Sequence, residues 1–350
     1  MSLIEQSLIT LEEEIKTLGF PKFHAKSLFD FVFKQSVSDF DLMSSMPKAL
    51  REALKAKYSI FPIKLVKIED SSDLETKKFL FELNDGMLVE AVLIGSFERR
   101  TVCVSSQVGC PAKCAFCASG KEGLIRHLTR FEIESQITFI QCYLKSHNEP
   151  PVSQIVFMGM GEPLSNFEEV ISAIDLIKSQ ERLGISERRI TVSTVGLVDK
   201  ILKVADMERQ FQLVLSLHAP NQHLRKKIIP FARKYELSDI LQAMLYFAKK
   251  TKRQITYEYT LLAGINDSLE NAQELAKLVD KHPCTVNLIP YNPIIGLKLK
   301  RPEKEVIEAF RDELKKHRIN VTWRYTKGKD IAAACGQLAL QEKNKLAVIS

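Results

Sequence analysis

The sequence predicts an α/β protein: a partial, open (βα)6 barrel, preceded by a small helical domain and a short β region. Two patterns carry this expectation. From residue 99 onward, strand-like runs alternate with helical ones six times, which calls for parallel strands joined by crossover helices. Before that, residues 1 to 60 repeat at helical spacing and residues 63 to 98 alternate as strands. Six units are too few to close an eight-stranded barrel. In folds of this kind the site lies at the C-terminal ends of the strands.

The elements follow in order. Leu8, Leu11, Ile15 and Leu18 share one helical face, and Gly19-Phe20-Pro21 breaks it. His24 to Phe33 and Lys48 to Tyr58 are further amphipathic stretches, and Pro62 marks a boundary. Leu65–Glu69, Lys78–Leu83 and Met87–Ile94 alternate as strands, with Asn84-Asp85-Gly86 as a hairpin turn between the last two. Barrel strands are expected at Thr101–Ser106, Gln154–Met158, Arg189–Ser193, Gln212–Leu217, Gln254–Leu261 and Thr285–Ile289. Helices are expected at Arg130–Leu144, Phe167–Ser179, Leu237–Lys249, Ser268–Lys281 and Glu303–His317, and a late strand at Asn320–Tyr325. The expected organisation is a helical N-terminal accessory domain (1–62), a β-hairpin linker region (63–98), a barrel core (99–340) and a tail (341–350).

The chain has 350 residues, 45% hydrophobic and 27% charged, enough for a sizeable core. No apolar run approaches the ~20 residues that span a bilayer. The N-terminus has no charged-then-apolar signal pattern. A cytoplasmic location is expected, which makes the sequons at Asn266 and Asn320 accidental. The net charge of +7 is concentrated. Basic runs lie at Arg99-Arg100, Arg126 to Arg130, Arg225 to Lys234, Lys249 to Arg253 and Lys298 to Lys304. Such runs are usually solvated faces, but five of them are compatible with a polyanionic partner.

The most informative stretch is Cys110-Pro-Ala-Lys-Cys114-Ala-Phe-Cys117, with Cys103 seven residues upstream. Three thiolates on a [4Fe–4S] cluster leave one iron without a protein ligand, open to a small molecule. Structural zinc takes four ligands, often as two separated C-x-x-C pairs, and no second pair exists here. Zinc, a redox dithiol or structural thiols are the blander readings. A disulfide framework does not suit a chain this long without a secretion signal. Cys142, in an apolar helical stretch, and Cys284, at the start of a strand, read as packing residues.

Other polar signals sit where strands should turn into loops: Gly159-Met-Gly161-Glu162-Pro163, Ser193-Thr-Val-Gly196, Ser216-Leu217-His218 and Asn287 to Pro293. Each is weak alone. The Gly-x-Gly lacks the third glycine of a dinucleotide fingerprint, and a histidine such as His218 is more often structural. Their shared register with the strand ends gives them weight.

With Cys103 to Cys117, Met158 to Pro163, Ser216 to Pro220, Asn287 to Pro293 and Asp330 to Leu338, the chain resembles the radical S-adenosylmethionine (SAM) enzymes. Within these it resembles the dual-specificity 23S rRNA/tRNA adenine-C2 methyltransferases of the RlmN family, over nearly its whole length. Ala332 departs from that family's pattern, where an acidic residue is expected.

The resemblance implies a radical SAM barrel whose Cys110, Cys114 and Cys117 hold one [4Fe–4S] cluster. Gly161, Glu162, Ser193, Ser216, Leu217, His218 and Asn292 would contact SAM, and Phe116 would shield the cluster. The implied substrates are an adenosine of 23S rRNA (position 2503 in the family) and adenosine 37 of some tRNAs. C2 of adenine lies between two ring nitrogens, and direct attack on a SAM methyl by such a carbon is implausible. The family route instead places a methyl group on Cys335, makes a radical of it with a second SAM, and adds that carbon to C2. Cys103 then resolves the RNA–protein adduct, leaving a transient disulfide with Cys335, and Glu90 is the implied proton acceptor. A strand glutamate is otherwise more often a solvated edge charge. A low-potential electron donor such as flavodoxin or ferredoxin, and a monomeric state, are also expected. The rival readings are a Cfr-type adenine-C8 methyltransferase, another radical SAM enzyme without a methyl-cysteine, and a zinc-bearing RNA-binding protein.

Overall fold

The computed structural model describes residues 1–73, 75–97, 99–323 and 328–338. The end of the expected late strand (324 and 325) and the expected tail lie outside them. The N-terminal part contains helices α1 (Leu8–Thr17), α2 (Phe23–Phe29) and α3 (Lys48–Lys57). Ser7 caps α1 by accepting from the Thr10 amide, and Leu11, Ile15, Leu28, Leu50 and Leu54 face inward. An antiparallel meander follows: β1 (Ile63–Asp70), β2 (Thr76–Leu83), β3 (Leu88–Ser96) and β4 (Arg99–Cys103).

A short ribbon of β5 (Gln107–Gly109) and β6 (Leu124–His127) comes next, with the cysteine loop between its strands. The repeating units are then α4 (Arg130–Ser146), β7 (Gln154–Phe157), α5 (Phe167–Lys178), β8 (Ile190–Thr194), α6 (Val198–Asp206) and β9 (Gln212–Ser216). They continue with α7 (Gln222–Ile228), α8 (Leu237–Thr251), β10 (Ile255–Leu261), α9 (Leu269–Val279), β11 (Cys284–Pro290), α10 (Lys304–Lys316) and β12 (Asn320–Trp323). Thr129 starts α4 with a reciprocal capping box to Glu132. Asn221 and Ser268 cap α7 and α9.

Among the described residues, ten strands form one sheet in the order β1-β2-β3-β4-β7-β8-β9-β10-β11-β12. From β4 onward every pairing is parallel, and β1 and β12 stand at opposite edges. The expected open barrel is therefore present. The meander is continuous with it through the β3–β4 pairing, in which Val92 faces Cys103.

Phe79 and Phe81 of β2 meet Tyr143 and Phe139 of α4 edge-on, with ring centroids 5.2 and 5.3 Å apart. The N-terminal part is fastened to the barrel by Arg182, in the loop after α5. Its guanidinium donates to the Ile4 carbonyl (3.0 Å), ion-pairs with buried Glu134 of α4, and lies 4.8 Å from the Phe33 ring centroid. Among the described residues no helix is long and apolar enough to cross a membrane.

Candidate functional site

The cysteine loop leaves β5 at Gly109 and closes on itself at Gly123, whose carbonyl accepts from the Cys110 amide at 2.9 Å. Gly109 has φ +75, and a Cβ there would lie 2.0 Å from the Gly123 carbonyl oxygen, so only glycine fits this closure. The Ala115 amide donates to the carbonyl of Ile228, the last residue of α7 (2.9 Å), tying the middle of the loop to that helix. Cys110, Cys114 and Cys117 all line one cleft at the C-terminal ends of the barrel strands. Its atom-free space is about 830 Å³, part of it open to solvent, the size of a small-molecule site.

Burial pushes the Cys110 thiol up to about 12, and pushes those of Cys114 and Cys117 up as well. Among the described residues no three His, Cys, Asp or Glu side chains are grouped to hold a metal ion. An iron–sulfur cluster is wider than one ion, and its thiolate ligands stand further apart.

The cleft walls are the strand ends picked out in the sequence. Gly161, after β7, has φ +114, and a Cβ there would be 2.7 Å from Ser106 Oγ. Next to it, Glu162 is fully enclosed. Its two carboxylate oxygens accept from the amides of Leu164 (3.0 Å) and Val195 (2.8 Å), and burial pushes its carboxyl up to about 7. Ser193 of β8 and Ser216 of β9 share a hydrogen bond of 2.9 Å between their hydroxyls.

His218 has φ +55, and its Nδ1 accepts from the Thr260 amide at 3.0 Å. The proton of the neutral ring is therefore on Nε2. Burial, with the nearby Arg225 charge, holds its pKa down at about 3, so the ring stays neutral. Phe116 packs edge-on against it, 4.8 Å between centroids. Asn292 lies beyond β11. Its Nδ2 donates to the Cys335 carbonyl at 3.3 Å, while its Oδ1 is buried with no hydrogen-bond partner. An orphaned acceptor in a cleft wall suits an N–H donor on a bound ligand. Leu217 differs from the other expected contacts: its side chain is packed in the core and does not line the cleft.

The loop carrying Cys335 lies across this cleft. Cys335 is exposed and lines it. The Gly336 carbonyl accepts from the Ala118 amide (2.8 Å) and the Leu338 carbonyl from Ser119 Oγ (2.6 Å). Gln337 Nε2 donates to the Pro293 carbonyl (3.0 Å). At the loop start, Asp330 accepts from Ser71 Oγ and the Ser72 amide, both at 2.6 Å.

Cys103 sits beneath this loop in a small apolar cluster with Val92, Met160, Ala333 and Leu338. Glu90 lies on the same face of β3 as Val92. It is 3% exposed, and its carboxylate is 3.1 Å from Lys78 Nζ, so the solvated edge-charge reading does not hold.

One correction concerns a basic run, and one sequon residue has a structural role. Arg225 is fully buried, and Lys226 pairs with Glu236, so this run is not one solvated face. Asn266, read as an accidental sequon, is a buried brace. Its Nδ2 donates to the carbonyls of His218 (2.8 Å) and Thr260 (2.7 Å), and its Oδ1 accepts from the Leu262 amide (2.7 Å). Its place just after a strand, in Gly264-Ile-Asn-Asp-Ser268, was the available signal. Cys142 and Cys284 are buried packing residues as expected.

Comparison with known proteins gives consistent matches. The profile of the radical SAM superfamily matches residues 104–277, and that of the ribosomal RNA large subunit methyltransferase N-terminal domain matches residues 1–60. The "Probable dual-specificity RNA methyltransferase RlmN 2" of Protochlamydia amoebophila is 55% identical over 333 residues, 95% of this chain and 93% of that protein. A similarly named RlmN protein of Lysinibacillus sphaericus is 43% identical, covering 96% of this chain and 88% of its own length. Among solved structures, a radical SAM methyltransferase from Sphaerobacter thermophilus superposes with a TM-score of 0.90 at 40% identity. That match covers 97% of this chain and 99% of the other.

Proposed function

The chain belongs to the radical SAM superfamily and, within it, to the RNA methyltransferases of the RlmN type, and we propose that it methylates C2 of an adenosine in 23S rRNA and in some tRNAs. Members of this superfamily use a [4Fe–4S] cluster and SAM. Cys110, Cys114 and Cys117 would hold the cluster, with Gly161, Glu162, Ser193, Ser216, His218 and Asn292 around SAM. Leu217 would contribute through its backbone alone. Bound there, the cluster and SAM would supply a methyl group for Cys335 and a radical able to take a hydrogen atom from that methyl.

The chain's own residues account for the rest. Cys335 carries the carbon on its exposed sulfur to C2 of a base flipped into the cleft. Glu90 would accept the C2 proton, and one electron would return to the cluster oxidised in cleaving SAM, which restores the aromatic ring, now joined to Cys335 through a methylene. Lys78 Nζ lies 3.1 Å from that carboxylate and forms an ion pair with it. Cys103 Sγ then attacks Cys335 Sγ. The sulfur–carbon bond breaks, the released carbon takes up a proton, and the methylated base leaves with a disulfide behind it.

The observation that carries this reading is the packing of Cys103 under Ala333 and Leu338, either side of Cys335. One cysteine faces the cleft and the other lies directly behind its loop. A cytoplasmic electron donor of flavodoxin or ferredoxin type would supply the reducing electron. Exposed Lys113 and Lys121 on the cysteine loop would meet RNA phosphates at the mouth.

The test is Cys103→Ala, reacted anaerobically with SAM, reductant and RNA. The expected product is protein joined covalently to RNA through Cys335, found as a shifted band and mapped by mass spectrometry. Free methylated RNA with normal turnover from this variant would refute the role of Cys103.

A further inference from the structure

Arg225 is the unexpected residue of this site. It lies on α7, fully buried, in a run that reads as a surface charge patch. Its Nε donates to the Leu217 carbonyl (3.1 Å), and its Nη2 to those of Val195 (2.6 Å) and Ser216 (3.2 Å). These carbonyls end β8 and β9 or follow just beyond them, at the floor of the cleft. Nη1 is buried with no hydrogen-bond partner. One turn further along α7, the Ile228 carbonyl accepts from the Ala115 amide, adjacent to Cys114. The guanidinium is therefore locked on the protein side of the cysteine loop.

A structural explanation covers only part of this arrangement. Three strand-end carbonyls need donors, and Arg225 supplies them. A neutral amide could satisfy some of that need without the cost of burying a charge. The charge sits against the cleft wall: Val195 and Ser216, whose carbonyls take Nη2, line the cleft with Cys114, and the Val195 amide donates to Glu162.

A cluster held by three thiolates is net negative, and taking up one electron makes it more so. In a buried site the potential follows net charge and local electrostatics. A fixed cation nearby lowers the cost of that electron.

We infer that Arg225 is a built-in cation that favours the reduced state of the cluster held by Cys110, Cys114 and Cys117, and so sets how readily this protein accepts its electron. This rests on the cluster assignment above. Arg225 acts through the cysteines' environment and touches no reacting atom, so it is a positioning residue.

The test uses the full chain with Arg225→Gln and Arg225→Lys, reconstituted anaerobically without SAM or RNA. Thermal melts of the apoproteins first establish folding, and Arg225→Met is the second neutral variant if glutamine is not tolerated. Iron and sulfide are counted, and the midpoint potential is read from an EPR-monitored redox titration. The neutral variant should hold at least tenfold less reduced cluster at a given solution potential. That is a midpoint lower by about 59 mV or more for a one-electron couple. The lysine variant should stay much closer to the wild type.

A neutral variant that titrates at the wild-type potential overturns the inference. So does a lysine variant shifted as far as the neutral one, because hydrogen-bond geometry would then be the cause. Loss of the cluster from the glutamine variant alone, with lysine still loading, supports the role of charge. A wild-type chain that takes up no iron would overturn the cluster assignment itself.

Discussion

Replacing Glu134 with glutamine tests how the N-terminal part is fastened to the barrel. Glu134 is completely buried, pairs with Arg182, and leaves Oε1 without a partner. Burial outweighs the cation and lifts its carboxyl from an ordinary 4.5 to about 7. At ~1.4 kcal/mol per pH unit this corresponds to about 3 kcal/mol of pH-linked stability. The folded state binds the proton more tightly than the unfolded chain. Stability is therefore greatest below the unfolded value, falls as pH rises towards 7, and levels off above it.

Glutamine keeps an oxygen for Arg182 but cannot titrate. Urea unfolding of wild-type and Glu134→Gln apoprotein between about pH 5 and pH 8 isolates the effect, because the other titrating groups cancel in the difference. The wild type should lose about 3 kcal/mol relative to the variant across that range. Parallel curves would refute the reasoning and mean that Glu134 titrates as an exposed carboxylate does.

Three more perturbations have defined outcomes. Gly161→Ala combines a φ of +114 with a Cβ 2.7 Å from Ser106 Oγ. It should cost about 3 kcal/mol and lower the melting temperature, even in apoprotein. Asp330→Ala removes the acceptor for Ser71 Oγ and the Ser72 amide, which together hold the Asp330 carboxyl down at about 2. Hydrogen exchange of the Ala332 and Ala333 amides should then quicken severalfold while the global melt stays put. In the wild type the carboxylate, and with it this clamp, should persist as pH falls below 3.8 and weaken only near 2. Ala332 occupies left-handed backbone at φ +50, so Ala332→Gly should be stabilising by roughly 1 kcal/mol in denaturant unfolding.

Much of the site could be read from the chain because its residues fall at predictable places. Gly161, Ser193, Ser216, His218 and Asn292 all stand at or just past parallel strand ends, and strand periodicity alone locates those ends. The cysteine spacing identifies its own loop. Three things were hidden. The β5–β6 ribbon is too short to show alternation, and its turn depends on one glycine pair. Arg225 looked like one more cation in a basic run. Its burial follows from sharing a helix face with Ile228, and from the carbonyls β8 and β9 present to it, which no local pattern reveals. Glu90 resembled an edge charge because an isolated strand cannot say what covers it. In the folded chain β3 is interior, flanked by β2 and β4, and Lys78 arrives from β2 in the next register.

The most direct test of the central claim is nucleoside analysis after anaerobic reaction of the cluster-loaded protein with SAM, reductant and RNA fragments, alongside Cys335→Ala. The account predicts 2-methyladenosine from the wild type and none from Cys335→Ala, with the variant still holding its iron. Methylation at C8, or methylation that survives loss of Cys335, would contradict it.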